Sequence, residues 1–294
     1  MVTAVITTHC REPGTVGRAL DSVINQTYGD MEILLVDDSP VDYPMRDAIK
    51  ALAESAKVNV RYIPHERCMG ACAARNTGIS NAKGEYIAFL DDDDEWLPTK
   101  IEKQVKGFTS DKIGFVYCRY KVLDTVNKTV RSSKDKIERG NIFKYLICEN
   151  IVGSTSFPLI RKSALEEIGG FDTQLPSAQD LDVWIRLSEK YDAEYIDEEL
   201  GVYYFHSNDQ ITSNPKKKIA GLEKLNEKNL DYLRHDRKAY SSRLIAICPY
   251  YALDGMFSKA IRNWFAAVRL DPSNAKRNLR VLLVSIKWRF VYSK

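Results

Sequence analysis

The chain of 294 residues is long enough for one large domain or two smaller ones. It is 44% hydrophobic and 28% charged, which is an ordinary composition for a globular protein. The formal net charge of +3 is too small to indicate a nucleic-acid-binding protein, so we expect no nucleic-acid partner.

Targeting signals and metal-binding cysteine patterns are not found in the sequence. No stretch reaches the roughly eighteen uninterrupted apolar residues of a membrane-spanning helix. The start, MVTAVITTHCREPG, lacks the basic and long apolar regions of a signal peptide, so we expect a cytoplasmic protein. The six cysteines lie mostly in apolar segments, as reduced thiols do. His65, Cys68 and Cys72 match no common zinc spacing, so no zinc site is expected there.

The first half of the chain alternates predicted strands and helices. TAVITT (3–8) is a short apolar, β-branched run, which is typical of a buried strand. Further strands are predicted at 31–39, 58–64, 85–90 and 113–118, with helices at 14–27, 44–56, 70–82 and 98–108. Strands separated by helices indicate right-handed crossovers and a mostly parallel sheet covered on both faces. The predicted fold class is therefore α/β.

The middle of the chain is less regular. Residues 128–150 are charged and show no clear period, and STSFPLIRKSALEEIGGFD (154–172) predicts a strand, a helix and a glycine turn. QDLDVWIRLSEKY (179–191) predicts a helix with Trp184 on its apolar face, so we expect that side chain in the core. AEYIDEELGVYYFHS (193–207) predicts a pair of strands that ends at His206.

From about residue 215 onward only helical periodicity remains. Residues 251–272 resemble a single tetratricopeptide repeat, a helix–turn–helix unit that cannot bury its own face alone. We therefore divide the chain into an α/β domain, 1–212, and a helical region, 213–294. The tail, 276–294, is basic and amphipathic. It is compatible with peripheral membrane contact and equally with a terminal helix docked on the core.

Acidic residues follow two of the predicted strands. Asp37 and Asp38 end one strand, and Asp91–Asp94 end another. Ligands bind at the carboxyl ends of such strands, which indicates a binding site. Alternatively, these residues only cap the helices that follow.

Four consecutive carboxylates repel one another, and a divalent metal relieves that repulsion. An EF-hand is excluded because Trp96 occupies the position that requires glycine. Mg²⁺ or Mn²⁺ is typically held by one or two carboxylates together with phosphate oxygens, an arrangement that suits a nucleotide diphosphate.

Several spaced motifs carry a family resemblance. VITTHCREPGTVGRALDSVINQTYGDMEILLVDDS, GACAARNTGISNAKGEYIAFLDDDDEW and LIRKSALEEIGGFD followed by QDLDVWIRL resemble family 2 glycosyltransferases of the GT-A fold. The likeness covers roughly residues 1–210. It is specific for the family and says little about the donor or the acceptor.

The resemblance implies roles for the residues around the donor. Thr8 and Asp38 would hold the nucleotide base and ribose, with His9 and Glu12 as further candidates in the first loop. The metal-binding DxD-type motif matches Asp91, Asp92 and Asp93, of which Asp93 is the expected direct ligand and Asp92 or Asp91 reaches toward ribose and metal. Asp94 is the least certain member of the acidic run, because it also fits a helix cap.

The resemblance also implies roles for residues outside the acidic run. Arg75 and Asn76 match a motif near the donor phosphates. His206 would be a further metal or phosphate contact, although a plain loop histidine is an equal alternative. Asp180 takes the position of the general base that removes the proton from the acceptor hydroxyl. The family usually shows Glu-Asp where this chain has Gln179-Asp180, which puts the acceptor contacts in doubt.

The sequence therefore predicts an inverting, metal-dependent enzyme that uses Mn²⁺ or Mg²⁺. It would transfer one hexosyl or N-acetylhexosaminyl group from a nucleotide-diphosphate sugar, expected to be a UDP-sugar, to a glycan or lipid-linked acceptor. We expect it in the cytoplasm, with peripheral contact at the inner face of the cell membrane as an option, and a homo-oligomer is compatible with the sequence. Two alternatives remain. A sugar nucleotidyltransferase should have a glycine- and lysine-rich loop after the first strand, which THCREPG lacks. The other alternative is a non-catalytic binding module.

Overall fold

The computed structural model describes residues 1–133, 137–205 and 214–274, together with Leu279. The chain forms two compact units. The first comprises Met1–Ile142, Val152–Thr173 and Val183–His206, and the second comprises Phe143–Ile151, Gln174–Asp182 and Ser207–Lys294. The predicted boundary near residue 212 stays a prediction. His206, a candidate from the sequence, lies outside the described residues. The basic tail, 276–294, also lies outside them, apart from Leu279.

The first unit is built on a single mixed sheet, and the strands described in it number nine. In chain order they are β1 (Val2–Thr8), β2 (Met31–Asp37), β3 (Val60–Pro64), β4 (Tyr86–Asp91), β5 (Glu95–Trp96), β6 (Ile113–Asp124), β7 (Thr129–Ser132), β8 (Leu159–Arg161) and β9 (Asp192–Phe205). The order across the sheet is β3-β2-β1-β4-β8-β6-β9-β5, with β7 paired to β6. Neighbours from β3 to β4 run parallel, and β8 is antiparallel to both β4 and β6. The α/β class is confirmed.

Helices cover the sheet and make up most of the second unit. They are α1 (Pro13–Ile24), α2 (Arg46–Glu54), α3 (Ala71–Asn81), α4 (Lys100–Lys106), α5 (Phe143–Leu146), α6 (Lys162–Glu167), α7 (Gln179–Ser188), α8 (Pro215–Lys228), α9 (Leu230–His235), α10 (Arg237–Leu253) and α11 (Phe257–Leu270). A short 3-10 helix, Pro272–Asn274, follows. None of the helices in the described ranges has the length and apolar character needed to cross a bilayer.

The central strand β1 shows why the sheet forms where it does. Its apolar, β-branched residues are almost all buried, since β2 and β4 flank it and helices cover it. Helix α1 begins with Pro13, whose fixed φ suits the first helical position, and it buries a face that includes Val16 and Leu20. The two elements meet in one apolar core, so the carboxyl end of β1 is held rigidly at the sheet edge.

The structure requires glycine at two positions, one just before helix α3 and one within it. Gly70 precedes the helix with φ of 91°, a left-handed conformation that glycine adopts without steric cost. Gly78 faces the sheet, where a Cβ atom would lie 2.3 Å from Cγ1 of Val5. The helix therefore packs directly against β1, and this close packing fixes the position of Arg75 on the same helix.

The structure differs from two of the sequence-based interpretations. Residues 193–207 were predicted as a strand pair, but β9 is one continuous strand paired with β6 on one side and β5 on the other. Gly201 lies inside β9 opposite Trp96, where a Cβ would lie 2.6 Å from the ring of Phe157. The irregular region 128–150 contains the short strand β7 and the short helix α5.

The helices after residue 215 are confirmed, and the second unit has its own packing. Asn214 caps α8 by accepting from the amides of Lys216 and Lys217, and Asp236 caps α10 by accepting from the amide of Ala239. A turn containing Gly255 joins α10 to α11, whose Ala260 is fully buried. The likeness of this helix pair to a tetratricopeptide repeat stays a prediction.

Candidate active site

The sheet register brings three strand ends together. Thr8 pairs with Asp37 across β1 and β2, and Thr7 pairs with Asp91 across β1 and β4. Parallel neighbours end at the same edge, so the acidic residues that follow β2 and β4 flank the end of β1. The predicted convergence of acidic strand ends is what the structure shows.

Asp38 is a buried carboxylate surrounded by hydrogen-bond donors. Its Oδ1 lies 2.7 Å from Nδ1 of His65 and accepts from the amide of Met69 at 2.7 Å, and its Oδ2 accepts from the amide of Gly70 at 2.8 Å. Burial raises the pKa of Asp38, but the hydrogen bonds from His65, Met69 and Gly70 together outweigh it and lower the pKa. Asp38 is therefore an ionised, fixed acceptor.

Asp37 and Ser39 complete the loop after β2. Asp37 accepts from the amide of Ser39 at 2.9 Å and from the hydroxyl of Tyr62 at 2.7 Å. The Ser39 hydroxyl in turn accepts from the amide of Cys10 at 2.9 Å, which ties the loop after β1 to the loop after β2. These contacts give Asp37 a structural role in joining the loops after β1 and β2.

Arg75 orients the first member of the acidic run. Its guanidinium donates to Asp91 Oδ1 at 2.6 Å, and it lies 5.4 Å from the ring centre of Phe171. Arg75 is 7% exposed, whereas the Asp91 side chain is 29% exposed, so the ion pair joins a buried guanidinium to a carboxylate that solvent reaches. Asn76 holds the backbone of Phe171 through two hydrogen bonds of 2.8 Å and serves the packing of this region.

Arg11 bridges the next two carboxylates. Its Nε donates to Asp92 Oδ1 at 2.9 Å, and its Nη2 donates to Asp93 Oδ2 at 3.1 Å. A single cation thus contacts one oxygen of each carboxylate. Burial raises the pKa of Asp92, and the adjacent Arg11 charge opposes that rise. Arg11 lies in the loop after β1, and the sequence analysis did not identify it.

Asp94 has an environment unlike that of its neighbours. It is fully buried, accepts from the Ser156 hydroxyl at 2.6 Å and accepts from the amide of Tyr204 at 3.3 Å. Burial, together with the negative charges of Asp91 and Asp93, raises the pKa of Asp94 well above its ordinary value. Asp94 therefore anchors the loop to β9 and to the segment before β8.

Ser156 is a second residue that the sequence analysis missed. Its hydroxyl accepts from the amide of Asp91 at 3.1 Å while it bonds Asp94, and its carbonyl accepts from the indole of Trp96 at 2.7 Å. One serine thereby links both ends of the acidic run. The hydroxyl run STS is visible in the sequence, but nothing there indicates which carboxylates it meets.

The remaining predicted residues have simpler positions. Thr8 is 2% exposed, and its hydroxyl faces the Asp92 carboxylate, where its hydrogen bond opposes the rise in the pKa of Asp92. Trp184 is fully buried and donates to the carbonyl of Gly153, so its predicted place in the core is confirmed. Asp180 lies in the first turn of α7 and accepts from the side chain of Asn150 at 2.9 Å. His206 lies outside the described residues.

The backbone before α7 is strained. Ala178 has a φ of 57°, a left-handed conformation that is costly for any residue with a Cβ atom. Its carbonyl accepts the first helical hydrogen bond, from the amide of Asp182 at 3.1 Å. The strain therefore falls at the start of the helix that carries Gln179 and Asp180.

Comparison with known proteins identifies the family. The sequence profile of glycosyl transferase family 2 matches residues 3–169, more than half of the chain. The chain belongs to glycosyl transferase family 2. The family resemblance carried by the motifs is thus confirmed.

A curated relative is similar to this chain in sequence. WfaP from Escherichia coli, a UDP-Glc:α-D-GlcNAc-diphosphoundecaprenol β-1,3-glucosyltransferase, is 35% identical over 52% of this chain and 62% of its own length. The chain thus spans less than two thirds of that relative.

Two solved structures share the fold. Residues 1–349 of Staphylococcus aureus TarS, solved with UDP-GlcNAc, superpose with a TM-score of 0.70 at 14% identity, covering 99% of this chain and 91% of that one. The mannosyltransferase PcManGT from Pyrobaculum calidifontis, solved with GDP-Man and Mn²⁺, superposes with a TM-score of 0.62 at 17% identity, covering 100% and 87%. These likenesses confirm the predicted GT-A fold.

Proposed function

We propose that this family 2 chain is an inverting, metal-dependent glycosyltransferase. It transfers one sugar from a nucleotide-diphosphate donor, a UDP-sugar in our proposal, to a hydroxyl of a lipid-linked or glycan acceptor. The observation that carries the proposal is the pairing of two acidic strand ends: Asp38 after β2, and Asp91, Asp92 and Asp93 after β4, on either side of β1.

The nucleoside part of the donor is assigned to Thr8 and Asp38. The Thr8 hydroxyl is buried at the end of β1 and donates toward the Asp92 carboxylate, which opposes the rise in the pKa of Asp92. Its oxygen can still accept a hydrogen bond from a ligand. Asp38 supplies an ionised oxygen close by, which suits the hydroxyl and N–H donors of a nucleoside. The UDP-GlcNAc bound by TarS is consistent with a uridine donor for this chain.

The acidic run fits a hard divalent metal. Its oxygen-only donor set is the type that Mg²⁺ and Mn²⁺ prefer, and one cationic group, Arg11, already contacts both Asp92 and Asp93. In the proposal Asp93 holds the metal with Asp91 or Asp92. When bound, the metal would offset the negative charge that develops on the leaving diphosphate. The Mn²⁺ in the PcManGT complex supports this choice for a related fold.

Arg75 is proposed as the residue that positions Asp91. Because its guanidinium donates to Asp91 Oδ1 at 2.6 Å and is itself almost buried, it fixes the direction of that carboxylate. Its position also places a positive charge at the edge where the proposed donor phosphates bind.

The transfer needs one proton acceptor, and the family resemblance assigns it to Asp180. The acceptor oxygen forms a bond to the anomeric carbon, its proton passes to the Asp180 carboxylate, and the bond from that carbon to the diphosphate oxygen breaks with both electrons leaving on the diphosphate. Asn150 donates to Asp180 Oδ2 at 2.9 Å and so fixes one carboxylate oxygen while the other remains an acceptor.

The acceptor class is assigned from a relative. WfaP acts on a sugar linked to undecaprenyl diphosphate, and a lipid-linked acceptor of that kind lies at a membrane surface. The basic tail 276–294 would bring the enzyme to an anionic inner membrane face, where each Lys or Arg near the surface contributes about 1 kcal/mol. Membrane contact and self-association are both part of the proposal.

Calorimetry on the full chain tests the donor part. UDP-, GDP-, CMP- and dTDP-sugars are titrated with and without Mn²⁺ into wild type, Asp93→Asn and the control Asp111→Asn, which changes an exposed carboxylate on the same unit. We expect Mn²⁺-dependent binding of one nucleotide, about 100-fold weaker in Asp93→Asn, or about 2.7 kcal/mol. Binding without metal dependence, or equal loss in Asp111→Asn, would refute the metal–diphosphate assignment and favour the binding-module alternative.

Turnover tests the base separately. With a lipid-linked acceptor, Asp180→Asn should keep donor binding and lower kcat by about 10²- to 10⁴-fold, the usual contribution of general base catalysis. Nuclear magnetic resonance of the product then reports whether the anomeric configuration is inverted. Retained turnover in Asp180→Asn, or retention of configuration, would contradict the proposed mechanism.

A further inference from the structure

Three side chains with metal-binding atoms meet at the end of β1 and β2. His9 follows β1, Asp38 follows β2, and Cys68 lies in the loop between β3 and α3. The His9 Nδ1, an Asp38 carboxylate oxygen and the Cys68 Sγ all lie within 4.8 Å of one another. This set differs from His65, Cys68 and Cys72, the combination that was weighed from the sequence, because Cys72 is buried within α3.

The distances within this cluster suit a tetrahedral metal. Cys68 Sγ lies 3.9 Å from His9 Nδ1 and 3.5 Å from Asp38 Oδ2. Zinc binds sulfur at about 2.3 Å and nitrogen or oxygen at about 2.0–2.2 Å, so tetrahedral angles place those ligand atoms about 3.5 Å apart. The two separations from Cys68 match that value within a few tenths of an ångström. The third, between His9 and the Asp38 carboxylate, is within 4.8 Å, so the exposed His9 ring would move toward Asp38 when a metal binds.

The cluster has one fixed ligand and two accessible ones. Asp38 is held by His65 and by the amides of Met69 and Gly70, so its Oδ2 keeps a constant direction toward Cys68. His9 and Cys68 are exposed, so an ion can enter from solvent. A carboxylate oriented by its own hydrogen bonds is the kind of support that metal ligands usually have.

We propose that His9, Asp38 and Cys68 form a binding site for a soft divalent cation, Zn²⁺, with the fourth position open to solvent. Thiolate and imidazole ligands select Zn²⁺ over Mg²⁺ or Mn²⁺, whereas the acidic run offers only hard carboxylate oxygens. On binding, the metal replaces the thiol proton of Cys68. It also replaces the hydrogen bond that joins His9 Nδ1 and the Asp38 carbonyl at 2.9 Å.

Zinc binding there would exclude the donor. Asp38 is the residue to which we assign the nucleoside, and one carboxylate cannot serve both ligands in the same geometry. Zn²⁺ therefore competes with the nucleotide at one end of the site while Mn²⁺ is held at the other. This consequence rests on the proposed function, but the binding of the metal itself does not.

Cobalt spectroscopy tests the binding. Co²⁺ replaces Zn²⁺ in such sites, and a cobalt–thiolate bond gives an ultraviolet charge-transfer band that oxygen and nitrogen ligands alone do not give. The full chain, kept reduced with a phosphine, is titrated with Co²⁺. We expect a band that saturates at one equivalent, disappears on adding Zn²⁺, and is lost in both Cys68→Ser and His9→Gln.

Cys10→Ser is the matched control, because Cys10 is also an exposed thiol in the same region but does not belong to the cluster. It should keep the cobalt band in full. No band in wild type, or a band that survives in Cys68→Ser, would overturn the site. Loss of the band in Cys10→Ser would overturn the ligand set. Thermal unfolding of each variant checks that the chain remains folded.

A competition titration separates the site from its consequence. The apparent Kd of UDP in the presence of Mn²⁺ should rise in proportion to added Zn²⁺ in wild type and stay constant in Cys68→Ser. If the cobalt band behaves as expected but UDP affinity in wild type does not respond to Zn²⁺, the metal site stands and the nucleoside is not bound at Asp38. Failure of the metal site and failure of the donor assignment are thus distinguishable.

Discussion

Aspartates follow both β2 and β4, but their pKa values are shifted in opposite directions. Asp38, after β2, is surrounded by a histidine ring and two backbone amides, and these donors lower its pKa despite burial. Asp92 and Asp94, after β4, have pKa values raised mainly by burial, and like charges add to the rise at Asp94. The charge of each carboxylate therefore follows from the balance between burial, which raises its pKa, and the donors that face it, which lower it.

The difference matters for the two proposed tasks. A carboxylate that stays ionised through its own hydrogen bonds is a permanent acceptor for a neutral nucleoside. A run of crowded carboxylates is unfavourable until a cation joins it, which is the state expected of a site that binds metal only together with a charged ligand.

Removing the charge of Asp38 should have the largest effect on the free energy of unfolding. In Asp38→Asn the new amide group faces the Gly70 amide, donor against donor, and the hydrogen bond to a charged acceptor is lost. Hydrogen bonds to charged groups contribute about 1.5–3 kcal/mol, so we expect the free energy of unfolding to fall by about 3 kcal/mol. Urea denaturation measures it.

The control for this variant is Asp42→Asn, which changes an exposed aspartate in the turn after β2. It should alter the free energy of unfolding by less than about 0.5 kcal/mol. Equal stability of Asp38→Asn and wild type would mean that the donors around Asp38 do not hold an ionised carboxylate.

Lys100 extends the comparison to a buried cation that faces few acceptors. It is fully buried in α4, donates to Gln104 Oε1 at 2.7 Å and lies 4.4 Å from the ring centre of Trp96. Burial lowers its pKa to about 8, whereas an unfolded lysine titrates at about 10.4. Between these values the unfolded state binds more protons, so stability rises with pH in that window.

Lys100→Met removes this titration. The stability of the variant relative to wild type should therefore fall by about 2.8 kcal/mol as pH rises from about 7.5 to 10.5, since one pKa unit corresponds to about 1.4 kcal/mol. The loss of the Gln104 hydrogen bond shifts both ends equally and cancels. Lys103→Met, on the same helix but partly exposed, should show a flat difference. A flat difference for Lys100→Met as well would mean that Lys100 is not desolvated.

Much of the fold could be predicted from the sequence, and the reasons are local. Strands such as β1 and β4 are short apolar runs, and their carboxyl ends coincide in any parallel arrangement. The convergence of Asp38 with Asp91 followed from that rule. Trp184 was placed in the core from helical spacing alone.

The side-chain partners could not be predicted, because they depend on packing between distant segments. Arg11 meets Asp92 across 81 positions of sequence, and Ser156 meets Asp94 across 62. No spacing rule connects such pairs. The same holds for His9, Asp38 and Cys68, whose loops meet only once the sheet is formed. Asp94, which the sequence left between a ligand and a helix cap, is an internal anchor.

Arg11 is expected to compete with a metal for the carboxylates after β4. Its guanidinium contacts Asp92 and Asp93, so a metal that binds there must displace or share those ion pairs.

Without nucleotide, Arg11→Gln should therefore bind Mn²⁺ about tenfold more tightly than wild type, a change of about 1.4 kcal/mol. Calorimetry with Mn²⁺ alone measures it. Arg61→Gln, which removes a guanidinium bonded to Asn81 and not to the acidic run, is the control and should leave Mn²⁺ affinity unchanged. Unchanged or weaker binding in Arg11→Gln would show that Arg11 does not compete for the carboxylates.

Asp94→Asn should have the smallest effect and is the most direct contrast with Asp93→Asn. An asparagine at this position keeps an oxygen for the Tyr204 amide, and its NH₂ group can donate to the Ser156 hydroxyl, which still accepts from the Asp91 amide. The substitution also replaces a carboxyl whose charged form is already disfavoured by burial and by the charges of Asp91 and Asp93.

We therefore expect a change of less than about 1 kcal/mol in the free energy of unfolding of Asp94→Asn. Its Mn²⁺-dependent nucleotide affinity should stay within about threefold of wild type, a difference of roughly 0.7 kcal/mol. Calorimetry of the two variants side by side measures it. If Asp94→Asn loses binding as Asp93→Asn does, Asp94 is part of the metal site, and its contacts with Ser156 and Tyr204 must open when the metal binds.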